Sequence, residues 1–312
     1  MLKSIMLKLI LQIVIIINLY GNEPISPIPL HNHINLEKAI LGKALFFDTR
    51  LSKDNTTACV NCHDVSHGGA DSNRVSIGFN GKEGNIQSPT VFNAKYNFKQ
   101  FWNGRANNLY EQIDGPINNP VEHNMNAKML EKKFNKLKKY KRKFLQIYGE
   151  PKIKYRYIVD AIVEFEKALT TPNSKFDKFL RGEDTLTKKE KNGYKLFKQY
   201  GCITCHNGIN IGSNSFQRMG TFLKYKSIKK YPDRETITHK KVHNNVFKVP
   251  TLRNINLTAP YFHDGVTKTL KEAIITMAKY NLGIELSDEE VKDLTLFLNT
   301  LEGEKPKILD SK

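Results

Sequence analysis

Cys59-Val60-Asn61-Cys62-His63 and Cys202-Ile203-Thr204-Cys205-His206 are two copies of one pattern, and together they use all 4 cysteines of the 312-residue chain. Two thiols at this spacing can each form a thioether bond to a vinyl group of one haem, and the histidine that follows can ligate its iron. A zinc site built from the four thiolates would not explain why a histidine directly follows the second cysteine both times. Disulfides inside such motifs belong mainly to redox enzymes with a βαβ context, which neither stretch has. The chain is therefore expected to carry two covalently bound haem c groups, one in each half.

Working outward to the N-terminus, Lys3 and Lys8 precede the apolar run Leu9 to Leu19, and Gly21-Asn22-Glu23-Pro24 follows. This is the pattern of a secretory leader over residues 1–21, too short for a comfortable membrane span. Export to the periplasm, with no stable membrane insertion after processing, is the expectation. The formal net charge of +18 and the lysine-rich tract Lys128 to Lys154 would suggest nucleic acid in a cytosolic protein. Export removes that partner. Leu130, Phe134 and Leu137 are spaced to face inward from a lysine-studded helical surface, so solvated charge accounts for the tract.

Periodicity is helical almost throughout, and strand-like alternation is scarce. Ile158, Ala161, Ile162, Phe165 and Leu169 follow helical spacing until Thr171-Pro172 stops them. Thr187 with Glu190 and Ser287 with Glu290 are capping boxes that open later helices. The chain is read as residues 22–170, holding the first haem, and 171–312, holding the second, with the last helix free to pack back on the first domain.

Beyond these readings, the chain resembles the bacterial dihaem cytochrome c peroxidases from about Leu36 to Gly303. The resemblance is carried by Leu41-Gly42-Lys43-Ala44-Leu45-Phe46-Phe47-Asp48, both haem motifs, Ser88-Pro89-Thr90-Val91-Phe92-Asn93, Gln100-Phe101-Trp102-Asn103-Gly104-Arg105-Ala106, Asn119-Pro120-Val121-Glu122, Pro250-Thr251-Leu252-Arg253-Asn254 and Leu257-Thr258-Ala259-Pro260-Tyr261-Phe262-His263, in matching order and spacing. It implies a mainly α fold of two cytochrome c-like domains with little strand. It also implies reduction of hydrogen peroxide at the N-terminal haem, with electrons from a small donor, a monohaem cytochrome c or a copper protein, received at the C-terminal haem.

The resemblance also assigns roles. Met277 aligns with the sixth ligand of the high-potential haem, and Trp102, the only tryptophan, with the inter-haem relay. Glu122 matches the distal acid–base group and Gln112 a second polar distal residue. Gln87, Thr258 and Pro260 match positions around a calcium ion between the domains, although Gln87 stands where an asparagine is usual. A homodimer is implied as well.

The chief departure lies in Ser76-Ile77-Gly78-Phe79, where many relatives have a histidine that blocks the peroxidatic iron at rest. Phenylalanine cannot ligate iron, so this haem is expected to keep a free face even when oxidised. His123, next to Glu122, is the alternative resting ligand, and His67 is expected in a loop or propionate contact. Two other functions stay in view. A dihaem electron carrier would have both irons six-coordinate, and a tryptophan-oxidising dihaem enzyme would use tyrosine where this chain has Met277.

Overall fold

The computed structural model describes residues 23–311, and the leader expected over 1–21 lies outside them. The chain is built of helices and loops, with a single antiparallel pair among the described residues, β1 (Phe216–Arg218) against β2 (Val246–Lys248). The mainly α expectation with little strand therefore holds.

Each half is organised around two helices that cross closely at a glycine. In the first half α1 (Leu36–Phe46) lies on α5 (Tyr155–Ala168), with Gly42 against the Ala161 carbonyl and Phe165. In the second, α7 (Lys188–Gln199) lies on α10 (Asp288–Asn299), with Gly193 against the Asp293 carbonyl and Phe297. In both pairs a Cβ on the glycine would fall well inside contact distance of the facing carbonyl, so only glycine lets the backbones meet. Phe46 packs on Phe165 in one core, and Phe176, Tyr194 and Phe197 surround Phe297 in the other.

Between these pairs lie α2 (Leu109–Asn118), α3 (Ala127–Phe134), α4 (Lys138–Tyr148) and α6 (Lys175–Leu180). The short α8 (Glu235–Thr238) precedes α9 (Leu270–Met277). The capping boxes at Thr187/Glu190 and Ser287/Glu290 both form, and Thr269/Glu272 adds a third at the start of α9. The lysine tract is two helices rather than one surface. Asn135 breaks it by accepting from the Ile153 N–H and donating to the Ile153 and Glu131 carbonyls. Leu130 and Phe134 are buried, whereas Leu137, at the break, is half-buried.

The two ends of the described stretch each pack with the other half. Ile25 and Ile28 are buried, Ile25 within the second core, where the fully buried Arg253 pairs with Asp177 at 3.0 Å and donates to the Ser26 carbonyl. Residues 24–28, read from sequence as part of the first domain, thus pack with the second. The last α-helix, α10, also packs in the second core. What returns to the first half is the turn Lys307–Asp310, whose Ile308 joins that core while Lys43 Nζ donates to the carbonyls of Ile308, Leu309 and Ser311.

Candidate active site

Both haem motifs fold alike. Cys59–Asn61 and Cys202–Thr204 are single 3-10 turns, and the N–H of His63 and of His206 donates to the carbonyl of the motif's first cysteine at 3.0 Å in each. All four thiols are free and half-buried. Burial pushes the Cys59 thiol well above its usual range and the Cys62 and Cys202 thiols up to about 11.

His63 Nδ1 lies 3.1 Å from the Pro89 carbonyl. Donating there leaves Nε2 with a free lone pair, which is how a neutral imidazole is prepared for iron. Burial lowers the His63 pKa, against Asp71 and the Pro89 carbonyl, and lowers that of His206 to about 4. The His206 ring meets the Pro250 carbonyl at Gly212, where an added Cβ would sit 3.3 Å from Nδ1, without completing the bond His63 makes.

Pro89 and Pro250 open a repeated stretch, Pro-Thr-x-x-Asn. Thr90 Oγ1 donates to the Gly68 carbonyl and accepts from the Phe92 N–H; Thr251 Oγ1 donates to the Asn210 carbonyl and accepts from the Arg253 N–H. Asn93 and Asn254 both adopt left-handed backbone, at φ 61° and 57°. Their side-chain amides converge on one hydroxyl, Thr171 Oγ1, at 2.7 and 2.8 Å. The segments behind the two histidines are thereby tied at the junction of the halves. The duplication is present in the sequence as a short Pro-Thr-x-x-Asn repeat, faint beside the fixed thiol, thiol and imidazole order of the cysteine motifs.

His63 opens onto a cavity of about 180 Å³ that is also lined by Trp102, Arg105, Gln112, Glu122 and Glu166. The structure thus brings Glu122, Gln112 and Trp102 together with the first histidine. Burial raises the Glu122 pKa, opposed by the Asn119 amide, which donates to Oε1 at 2.6 Å, and by the Arg105 charge. Glu166 went unnoticed because its α5 neighbours read as a core stripe. It has no hydrogen-bond or charged partner among the described residues, and burial pushes it up to about 8.

His206 opens onto a second cavity of about 340 Å³, lined also by Cys202, Cys205, Met277 and Met219. Met277 ends α9 and packs with Met219, Phe247 and Trp102. Met219 carried no sequence pattern that would have marked it. Trp102 borders both cavities, with its indole N–H on the Gln87 carbonyl at 2.8 Å. His263 also borders the second cavity, stacked on Phe247 at 4.1 Å with Nε2 2.9 Å from Ser227 Oγ. Gln87, Thr258 and Pro260 line the first cavity beside Trp102.

The cavities differ in their possible iron ligands. Among the described residues, the first is lined by one histidine, His63, and no methionine. His123 is buried but is not part of that lining, and its Nδ1 has no partner; His67 is exposed. Phe79 is outside the lining too, with the Lys82 ammonium 5.7 Å from its ring. Paired thiols beside a half-buried histidine of lowered pKa, next to a cavity, suit a thioether-linked haem in both halves.

Comparison with known proteins agrees with this geometry. Residues 36–185 match the family model for di-haem cytochrome c peroxidase, and residues 190–302 that for cytochrome c. Cytochrome c551 peroxidase of Nitrosomonas europaea is 44% identical over 287 residues, which span 92% of this chain and 86% of that protein.

The chain belongs to the dihaem cytochrome c peroxidase family.

Cytochrome c peroxidase Ccp of Escherichia coli is 43% identical over 91% of this peroxidase and 62% of its own greater length. Among solved structures, a MauG-like protein associated with microbial copper homeostasis superposes with a TM-score of 0.79 at 27% identity, covering 91% of this chain and 94% of that one. The peroxidases are thus nearer in sequence than the MauG-like protein. No helix among the described residues is long and apolar enough to cross a membrane.

Proposed function

We propose that this peroxidase reduces hydrogen peroxide to two waters in the first cavity, with electrons received one at a time at the second. The observation that carries this reading is the difference in ligands. The second cavity offers His206 and His263 with Met219 and Met277, while the described residues lining the first offer His63 as the only histidine and no methionine. Haem held by Cys59, Cys62 and His63 would supply the peroxide chemistry in the first cavity, and haem held by Cys202, Cys205 and His206 would supply electron entry in the second.

The residues do the rest. Peroxide reduction consumes two electrons and two protons, and the O–O bond breaks readily only when the departing oxygen receives a proton. Glu122 is the group that takes a proton from one peroxide oxygen at its carboxylate and returns it to the other. Its burial moves its pKa toward working pH, and the Arg105 charge limits that rise. Gln112 offers an amide to orient peroxide, while Phe101, Leu109 and Pro116 restrict water. Trp102, which borders both cavities, would relay electrons between the haems, and Met277, rather than Met219, would ligate the second iron.

The finer parts of the reading are these. The two haem domains meet near residues 170 and 171, the protein works in the periplasm, a monohaem cytochrome c or copper protein is its donor, and two copies associate. Calcium is held by the carbonyls of Thr258 and Pro260 with the Gln87 side chain, oxygen ligands of the kind this hard cation prefers. Their common position at the first cavity supports that set.

The test is steady-state oxidation of a reduced monohaem cytochrome c by the haem-loaded protein with hydrogen peroxide. Peroxide-dependent turnover is expected. A protein that exchanges electrons with the cytochrome and leaves peroxide unconsumed would contradict the reading.

A further inference from the structure

Lys248 is a buried cation for which neither the fold nor the proposed chemistry provides a use. It lies in β2 with 7% of its surface exposed, its N–H donating to the Trp102 carbonyl at 2.7 Å. Burial lowers its pKa to about 8, and no carboxylate or hydrogen-bond partner among the described residues offsets that. Glu166 faces the same cavity but is equally unpaired, so the two do not satisfy one another.

Strand alternation says where the ammonium points. Phe247, stacked on His263, lines the second cavity alone, whereas Lys248, the next position of β2, also lines the first. The Lys248 side chain therefore crosses the wall at Trp102 toward the His63 side. An ammonium kept in such a place without an anion is unfavourable, so an anion belongs there in the working protein. A haem tied at its vinyl edge by Cys59 and Cys62 brings two carboxylates on its opposite edge.

We propose that Lys248 is the ion-pair partner of a propionate of the first haem, at the wall beside Trp102. A fixed positive charge there favours the electron-rich state of that haem and raises its reduction potential. Lys248 is thus a positioning and tuning residue on the route by which electrons arrive, and it touches no peroxide.

The experiment is spectroelectrochemical titration of haem-loaded wild type, Lys248→Met and Lys248→Arg. The first-haem midpoint should fall in Lys248→Met, return most of the way in Lys248→Arg, and move more than the second-haem midpoint. An unchanged first-haem midpoint in a fully loaded Lys248→Met protein, or a fall confined to the second haem, would overturn the proposal. Should Lys248→Met fail to load haem, a crystal structure of the loaded wild type decides. A propionate oxygen within hydrogen-bond distance of Nζ upholds the pairing, and Nζ bonded to water or backbone alone refutes it. The inference rests on the haem reading of the first cavity. Failure of that reading would appear separately, as one haem per chain in place of two.

Discussion

The backbone N–H of Phe79 donates to the carbonyl of Glu122 at 2.8 Å. Just before it, Gly78 lies so close to Val121 and Glu122 that a Cβ would strike their backbone. The loop that could carry a blocking ligand is thus docked on the segment that carries Glu122. At its tip, however, is a phenyl ring turned toward Lys82. A docked loop without a histidine holds the Glu122 backbone in place and offers no imidazole to the proposed peroxide site.

Glu122→Gln keeps the shape and removes the titrating group. Peroxide turnover should fall by about 10²–10⁴-fold with both haems still attached. Because burial raises the Glu122 pKa, its carboxylate form is lost as pH falls through a value above the ordinary range. The wild-type kcat/KM should therefore drop on that acid limb, and the limb should vanish in Glu122→Gln. A pH–rate profile of both proteins checks this.

Glu166 predicts a stability effect of definite sign. Its folded pKa of about 8 is raised by burial, so the folded state holds a proton that the unfolded chain gives up at lower pH. Its contribution is favourable below the unfolded carboxylate range and is lost as pH rises from there to about 8. Urea unfolding between pH 5 and pH 9 should show Glu166→Gln losing less stability with rising pH than wild type does.

Thr171 accepts from two buried amides, Asn93 and Asn254. Thr171→Val leaves both without a partner and should destabilise the protein by about 2–6 kcal/mol, at about 1–3 kcal/mol per stranded group. Thr171→Ser should recover most of the loss, as read by denaturant midpoints.

Two methionines border the second cavity, and the assignment between them is testable. Met277→Ala should lower the upper midpoint potential and abolish the thioether ligation signature in the visible spectrum, whereas Met219→Ala should leave that signature in place. The reverse outcome would move the ligand to Met219.

What the sequence revealed and what it hid have physical reasons. Covalent attachment of haem demands a fixed order of thiol, thiol and imidazole, so both motifs were legible at once. The helices of the cores were legible because burial imposes a period, as at Ile158, Ala161, Ile162 and Phe165. That same period concealed Glu166, a carboxyl whose meaning depends on facing a cavity rather than a core. Lys248 was hidden among exposed lysines, because its burial comes from strand pairing with Phe216 and from the Trp102 carbonyl, both distant in sequence. The exchange of chain ends was equally invisible, since nothing local to Ile25 or Ile308 says which core will bury it.

The most direct test of the central claim is the EPR and visible spectrum of the fully oxidised, haem-loaded protein, before and after hydrogen peroxide is added without any reductant. The account predicts one low-spin haem and one haem with a vacant or water-filled position that responds to peroxide at once. Two low-spin haems, inert to peroxide until one electron has been supplied, would contradict it.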